Sequence, residues 1–184
     1  MRLKRFSLKI SKKILPFTKT IKVDADKSIS IRSFLIAAIS QNISVARNIL
    51  ESDDVFSTIN CLKKLGVKIK KLKSKHYLIY GKGLGSLNSK KNAKLNFGNS
   101  GTLARLLIGI LSTTPDIEIK IQGDHSLNKR SMKKLINIMS EFGAEFFPKN
   151  KFNFPLKLIS TEMPVCINYK AGVSAQLKSA VILA

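Results

Sequence analysis

Tryptophan is absent from this sequence, cysteine and histidine occur twice each, and the 33 basic residues outnumber the 11 acidic ones three to one. Cys61 and Cys166 lie far apart without metal or redox spacing, and read as two reduced, partly buried thiols of a cytosolic protein. His76 and His125 have no histidine or cysteine at ligand spacing, so nothing supports a metal site. Long apolar runs are missing too, and nothing approaches the roughly 18 residues a membrane-crossing helix needs. The longest, Leu103 to Leu111, is broken by Ala104, Arg105 and Gly109 and reads as a buried helix. The opening stretch, MRLKRF and then SKKILPF, is basic but has no apolar core of a secretory signal. Organelle targeting stays open for it.

Hydrophobic residues make up 44% of 184, which excludes a disordered tail and allows one domain with its own core, or a domain plus a fragment. The net charge of +22 invites a nucleic-acid reading. Yet 27 of the 33 basic residues are lysines scattered between apolar positions, and the aromatics do not cluster with them. The charge reads as a field for small anions or as a compositional bias. A small basic nucleic-acid-binding protein is the alternative from another class. Arginine is scarcer and more informative, because Arg32, Arg105 and Arg130 fall inside motifs.

Those motifs repeat. DKSISIRSFLIAAIS from Asp26, GNSGTLARLLIGILS from Gly98 and AGVSAQLKSAVILA from Ala171 each run from small polar residues into an apolar helical pattern. Their cations Arg32, Arg105 and Lys178 are 73 residues apart in both steps. DDVFSTINCLKKLGVKI and KRSMKKLINIMSEFGAEF form a second repeated helix, the latter led by Lys129 and Arg130. Each ends at a glycine suited to a left-handed cap, and Gly66 and Gly143 are 77 apart. TIKVDA, AKLNFGN and VCINYKAG precede the first helices as strand candidates, ISVARNIL and DIEIKIQG lie between helices, and paired strand candidates follow each glycine. The fold class is therefore α/β (α+β), in repeated βαβαββ units of about 75 residues, with two units and the start of a third. Because the chain reaches Ala184 in mid-helix, the third unit is expected to be cut.

The repeated helix starts suit anions, since unpaired N–H groups and the helix dipole favour negative ligands there. Lys27 and Ser28, then Asn99 to Thr102, then Ser174 and Gln176, could converge into one polyanion site. Taken singly, each start is explained by plain capping. Arg130 could hold a carboxylate or phosphate in forked geometry, and could equally be half of a solvated pair. GKGLGSL from Gly81 lacks the context of a phosphate loop and reads as a turn, and Glu51, Asp53 and Asp54 as an acidic helix start.

DKSISIR, FGNSGTLAR, GDHSLNKR, FPLKL and SAQLKSA occur in the order and spacing found in the EPSP synthase family, which this chain resembles from about Lys22 to Ala184. The resemblance implies transfer of the enolpyruvyl group from phosphoenolpyruvate to the 5-hydroxyl of shikimate 3-phosphate. It implies two similar domains of three units each, with the substrates in the cleft between them. By position, Lys27, Ser28, Arg32, Ser174, Ala175 and Gln176 would bind shikimate 3-phosphate. Lys27, Asn99, Gly101, Arg130 and Gln176 would bind phosphoenolpyruvate. No cofactor or metal is implied, and the proton-transfer groups are expected in the other half of the enzyme. Residues 1–22 would be a strand segment of that other domain, and 23–184 an incomplete substrate-binding domain. A cytoplasmic protein, monomeric at full length, with small anionic substrates and no nucleic-acid or membrane partner, completes the implication. The chain departs from the family at Ile31, commonly His, at Ser131, commonly Pro, and in VDA before Asp26, usually Pro-Gly. The nearest rival is the sister enzyme acting on UDP-N-acetylglucosamine. It pairs Lys with Asn where this chain has Lys27-Ser28, and carries a loop cysteine that is missing near Arg130.

Overall fold

In the computed structural model, residues 7, 9, 11, 15–16, 18–21, 23–90, 93–170 and 172–184 are described. Two sheets of related topology carry the helices. The first half runs α1 (Lys27–Ile39), β1 (Ile43–Arg47), α2 (Asp53–Lys64), β2 (Lys68–Lys73) and β3 (His76–Tyr80). Its antiparallel sheet has the order β1-β3-β2. The second half runs β4 (Ala93–Asn96), α3 (Gly101–Ser112), β5 (Glu118–Gln122), α4 (His125–Asn128), α5 (Lys133–Glu141), β6 (Glu145–Phe147) and β7 (Leu156–Ile159). Its sheet has the order β4-β5-β7-β6, with β4 parallel to β5 and the other pairs antiparallel. Helix α6 (Ala175–Leu183) then lies against α3. The mixed α/β architecture is the one expected.

Local chemistry starts and stops the helices. Asp26, Ser100 and Ser174 cap α1, α3 and α6, their side-chain oxygens accepting from the amides of Ile29, Leu103 and Leu177 at 2.7, 3.2 and 3.4 Å. Gly66 and Gly143 follow α2 and α5 with φ of +81° and +109°, the left-handed geometry that glycine adopts without steric cost. The GKGLGSL stretch is a turn rather than a phosphate loop. The amides of Gly81, Lys82 and Gly83 donate to the carbonyls of Asn42, Ala38 and Ser40, closing the end of α1.

Two of the three leading strand candidates are not strands among the described residues. In TIKVDA, Ile21 and Val23 are 71% and 74% exposed, so no apolar face is buried to hold a ladder. In VCINYKAG, Ile167 and Tyr169 lean on the core, but among the described residues its only backbone bond is from the Val165 amide to the Phe142 carbonyl. A strand needs a neighbour, and β4 alone finds one. The helix expected to open at Lys129 begins instead at Lys133. The Asp124 cap closes the single turn of α4, and the Met132 amide turns aside to the Phe152 carbonyl at 2.7 Å. Lys129 and Arg130 therefore sit in the bend.

One apolar core joins the halves, running from Phe34 and Leu35 in α1 through Leu103 to Leu111 in α3 to Leu158 in β7 and Ala180 in α6. Ile31, where the family commonly has His, is fully buried in it. Phe34 meets Tyr77 edge-on at 5.3 Å, pinning α1 to its sheet. The Tyr77 hydroxyl in turn donates to Glu51 at 2.7 Å. Cys61 is buried with its thiol pushed up to about 12, chiefly by desolvation, whereas Cys166 is exposed rather than partly buried. An alkylating reagent at neutral pH is expected to label Cys166 at once and Cys61 only on unfolding, read by mass spectrometry of the two peptides.

At Gly109 the backbones of α3 and α6 touch. A Cβ there would lie 2.5 Å from the Ala180 carbonyl oxygen and 2.9 Å from its Cα. Gly109→Ala is expected to destabilise by roughly 1–3 kcal/mol, as overpacking does. The loss should appear as a lower Tm, with hydrogen-exchange protection falling first in α6.

Glu51 ties α2 to the β2–β3 pair. Its carboxyl is held down to about 2 by hydrogen bonds, first from Lys71, then from the Tyr77 hydroxyl and the Lys75 amide. A depressed carboxyl stabilises fully above its ordinary 4.5, and the contribution is lost as the pH falls through 2. Glu51→Gln should flatten the stability curve between those values, as measured by denaturant titration at several pH values.

Candidate functional site

The amino ends of α3 and α6 meet around Gly101. Arg105, in the second turn of α3, folds back so that Nη1 donates to the Gly101 carbonyl at 3.1 Å and to Gln176 Oε1 at 2.8 Å. The other end of the same amide, Gln176 Nε2, donates to Thr102 Oγ1 at 3.0 Å. From the bend after α4, Arg130 Nη2 donates to Asn99 Oδ1 at 3.1 Å and to Ser126 Oγ at 3.4 Å. Two guanidiniums thus flank one glycine: a Cβ on Gly101 would sit 2.8 Å from Arg105 Nη1 and 3.4 Å from Arg130 Nη1.

The charge of this pair is uncompensated. Among the described residues no carboxylate pairs with either arginine. Burial, and then the like charge of Arg130, lowers the pKa of Arg105 from its ordinary value. Beside it opens a cleft of about 430 Å³ in which Arg105, Lys133 and Lys134 sit with Ser131 and Ser174 against an apolar wall of Met132, Leu135 and Leu177, again without an acid. Such a surface attracts anions carrying more than one charge.

The expected residues are brought together unevenly. Asn99, Gly101, Arg130 and Gln176 form one connected cluster, while Ser174 caps α6 and Ala175 lies exposed beside it. Arg32 reaches α6 by a different route, with Nη2 donating to Ser179 Oγ at 3.2 Å, which sets the second turns of α1 and α6 side by side. Lys27 is exposed and paired with Asp54 at 2.8 Å, and Ser28 next to it is half-buried. No hydrogen bond joins Lys27 or Ser28 directly to the Gly101 cluster among the described residues. Ser126 has no role in the sequence reading, which takes Thr102 as part of an anion-binding helix start, Asp54 as part of an acidic helix start and Arg105 as a repeat cation, and assigns none of them to a substrate. The signal for Arg105 is its alignment with Arg32 in the repeat.

Comparison with known proteins identifies the family. The family model for EPSP synthase (3-phosphoshikimate 1-carboxyvinyltransferase) matches residues 11–184. The 3-phosphoshikimate 1-carboxyvinyltransferase of Syntrophomonas wolfei is 38% identical over 177 residues, covering 96% of this chain and 41% of the relative. That of Caldicellulosiruptor saccharolyticus is 40% identical over 166 residues, covering 89% and 37%. Among solved structures, EPSP synthase from Acinetobacter baumannii superimposes with a TM-score of 0.80 at 32% identity, over 89% of this chain and 37% of the other. The chain spans about two fifths of the length of the curated relatives it matches. Its repeated helix starts, its fold and this match over nearly all its residues together show that the chain belongs to the EPSP synthase family.

Proposed function

We propose that this chain supplies anion-binding helix starts for enolpyruvyl transfer from phosphoenolpyruvate to the 5-hydroxyl of shikimate 3-phosphate. The observation that carries this reading is the pair of guanidiniums over Gly101 with no carboxylate among their partners. Both substrates bear a phosphate and a carboxylate, so they repel each other until fixed cations neutralise them. Held together, they gain proximity, and the same donors stabilise the charge that moves as the reaction proceeds. In the addition step the 5-hydroxyl oxygen bonds to C2 of phosphoenolpyruvate while its proton leaves and C3 gains one. Elimination then removes a proton from C3, and phosphate departs.

In this reading Arg130, Gly101 and Asn99 receive phosphoenolpyruvate. Arg32, Ser28, Ser174 and Ala175 receive shikimate 3-phosphate, and Lys27 and Gln176 lie between the two. Lys27 must exchange Asp54 for substrate. The exchange costs little, because an ion pair whose lysine is 52% exposed is worth roughly 0–1 kcal/mol. The side chains bonded to Arg105 and Arg130 are amides and a hydroxyl, which suits binding and neutralisation. Residues 23–184 act as the substrate-binding domain, with 1–22 belonging to the companion domain.

The test is a phosphorus NMR titration of each substrate with the chain. Both resonances are expected to shift, and the absence of any shift for both overturns the reading. Arg130→Ala should weaken phosphoenolpyruvate binding by roughly ten-fold or more, the loss of a charge-assisted hydrogen bond, with a smaller effect on shikimate 3-phosphate. Equal weakening of both removes Arg130 from that role. Gly101→Ala should also weaken phosphoenolpyruvate by displacing the Arg105 guanidinium and crowding that of Arg130, and leave the Tm nearly unchanged because flexible side-chain ends give way.

A further inference from the structure

The Gln176 amide is held from both sides. Its oxygen accepts from Arg105 and its nitrogen donates to Thr102, which fixes which end faces which helix. A side-chain amide is nearly symmetric in shape, and either orientation fits the same space. What chooses between them is the chemistry of the neighbours. A guanidinium only donates, so Arg105 rejects the flipped amide, which would set N–H against N–H. Thr102 tolerates both orientations, since a hydroxyl donates or accepts. The orientation of Gln176 therefore depends on Arg105 alone.

Arg105 is itself held in place for this task. The Gly101 carbonyl anchors Nη1, burial limits the other positions open to the guanidinium, and Arg130 crowds the same face of Gly101. The absence of a Cβ on Gly101 leaves the space in which this occurs. Arg105 also comes from the repeat unit before the one that supplies Gln176, so the contact locks two units at the depth of the ligand-facing turn. The outcome is a Gln176 amide that, among the described residues, has its second N–H and second oxygen lone pair unbonded and in set positions. These are available to a ligand that needs a donor on one side and an acceptor on the other.

We infer that Arg105 is a positioning residue, which orients the Gln176 amide and through it the hydroxyl- and anion-bearing ligand at the α3–α6 junction. This rests on the proposed function only for the identity of the ligand, because the orientation of Gln176 is a property of the empty site.

The experiment has two arms. In the first, nitrogen-15 relaxation of the Gln176 side-chain amide is measured in the ligand-free chain, in Arg105→Lys and in Arg105→Ala. Gln122, exposed at the end of β5, serves as the mobile reference. The Gln176 amide is expected to be rigid in the parent and to approach Gln122 in both variants. An amide that stays rigid in both overturns the inference. In the second arm, shikimate 3-phosphate and phosphoenolpyruvate are titrated into the parent, Arg105→Ala, Gln176→Ala and the double variant. Each single change is expected to weaken shikimate 3-phosphate binding by roughly ten-fold, and the double variant scarcely more than either. Multiplying effects show Arg105 acting on the ligand independently and overturn the inference, as does a fall in Tm with unchanged affinity. If neither ligand binds the parent while the amide loosens as expected, the ligand assignment fails and the positioning role stands.

Discussion

The approach of α6 to α3 at Gly109 governs the rest of the site. Helix axes usually pack 8–10 Å apart, and only small residues at the crossing allow backbone contact. A side chain on Gly109 would overlap Ala180, one to two turns from the point where Gln176 reaches across to Thr102 and Arg105. The spacing of the polar ends thus follows from an apolar crossing deeper in the molecule. Arg32 reinforces it from α1 through Ser179, so three first helices of the repeat hold their amino ends level.

Charge is distributed with the opposite logic. Among the described residues, five acidic residues pair with lysines away from Gly101: Asp54 with Lys27, Glu51 with Lys71, Asp24 with Lys75, Glu118 with Lys157 and Glu145 with Lys149. Among the described residues none is directed at Arg105 or Arg130. On the proposed reading, the lack of an acid beside these two guanidiniums matters, since a resident carboxylate would compete with an anionic ligand.

Much of this could be read in advance, and the parts that could not share a cause. The 73-residue spacing of Arg32, Arg105 and Lys178 located α1, α3 and α6, and the glycines at 66 and 143 marked where α2 and α5 stop. Caps and glycine turns are decided within a few residues, so sequence holds them. TIKVDA and VCINYKAG were misjudged because extended pattern becomes a strand only beside a partner. The bend at Arg130 depends on the Phe152 carbonyl, some twenty residues away in the chain. Asn99, Gly101, Arg130 and Gln176 were legible as a group through family motifs. The direction in which Arg105 turns was not, since it is set by burial and by a neighbour from another unit. Lys27 likewise finds Asp54 only once α1 and α2 are packed.

The bare pair of guanidiniums has a practical corollary. An empty site that concentrates positive charge is a sink for whatever anion the solvent offers, and any solute that binds the folded chain raises its apparent stability by mass action. On the proposed reading, phosphate, sulfate or citrate in a buffer would act as a ligand rather than as a bystander. A melting temperature for this protein belongs to the salt in which it was taken, and chloride at low ionic strength is the reference that comes nearest to the unliganded fold.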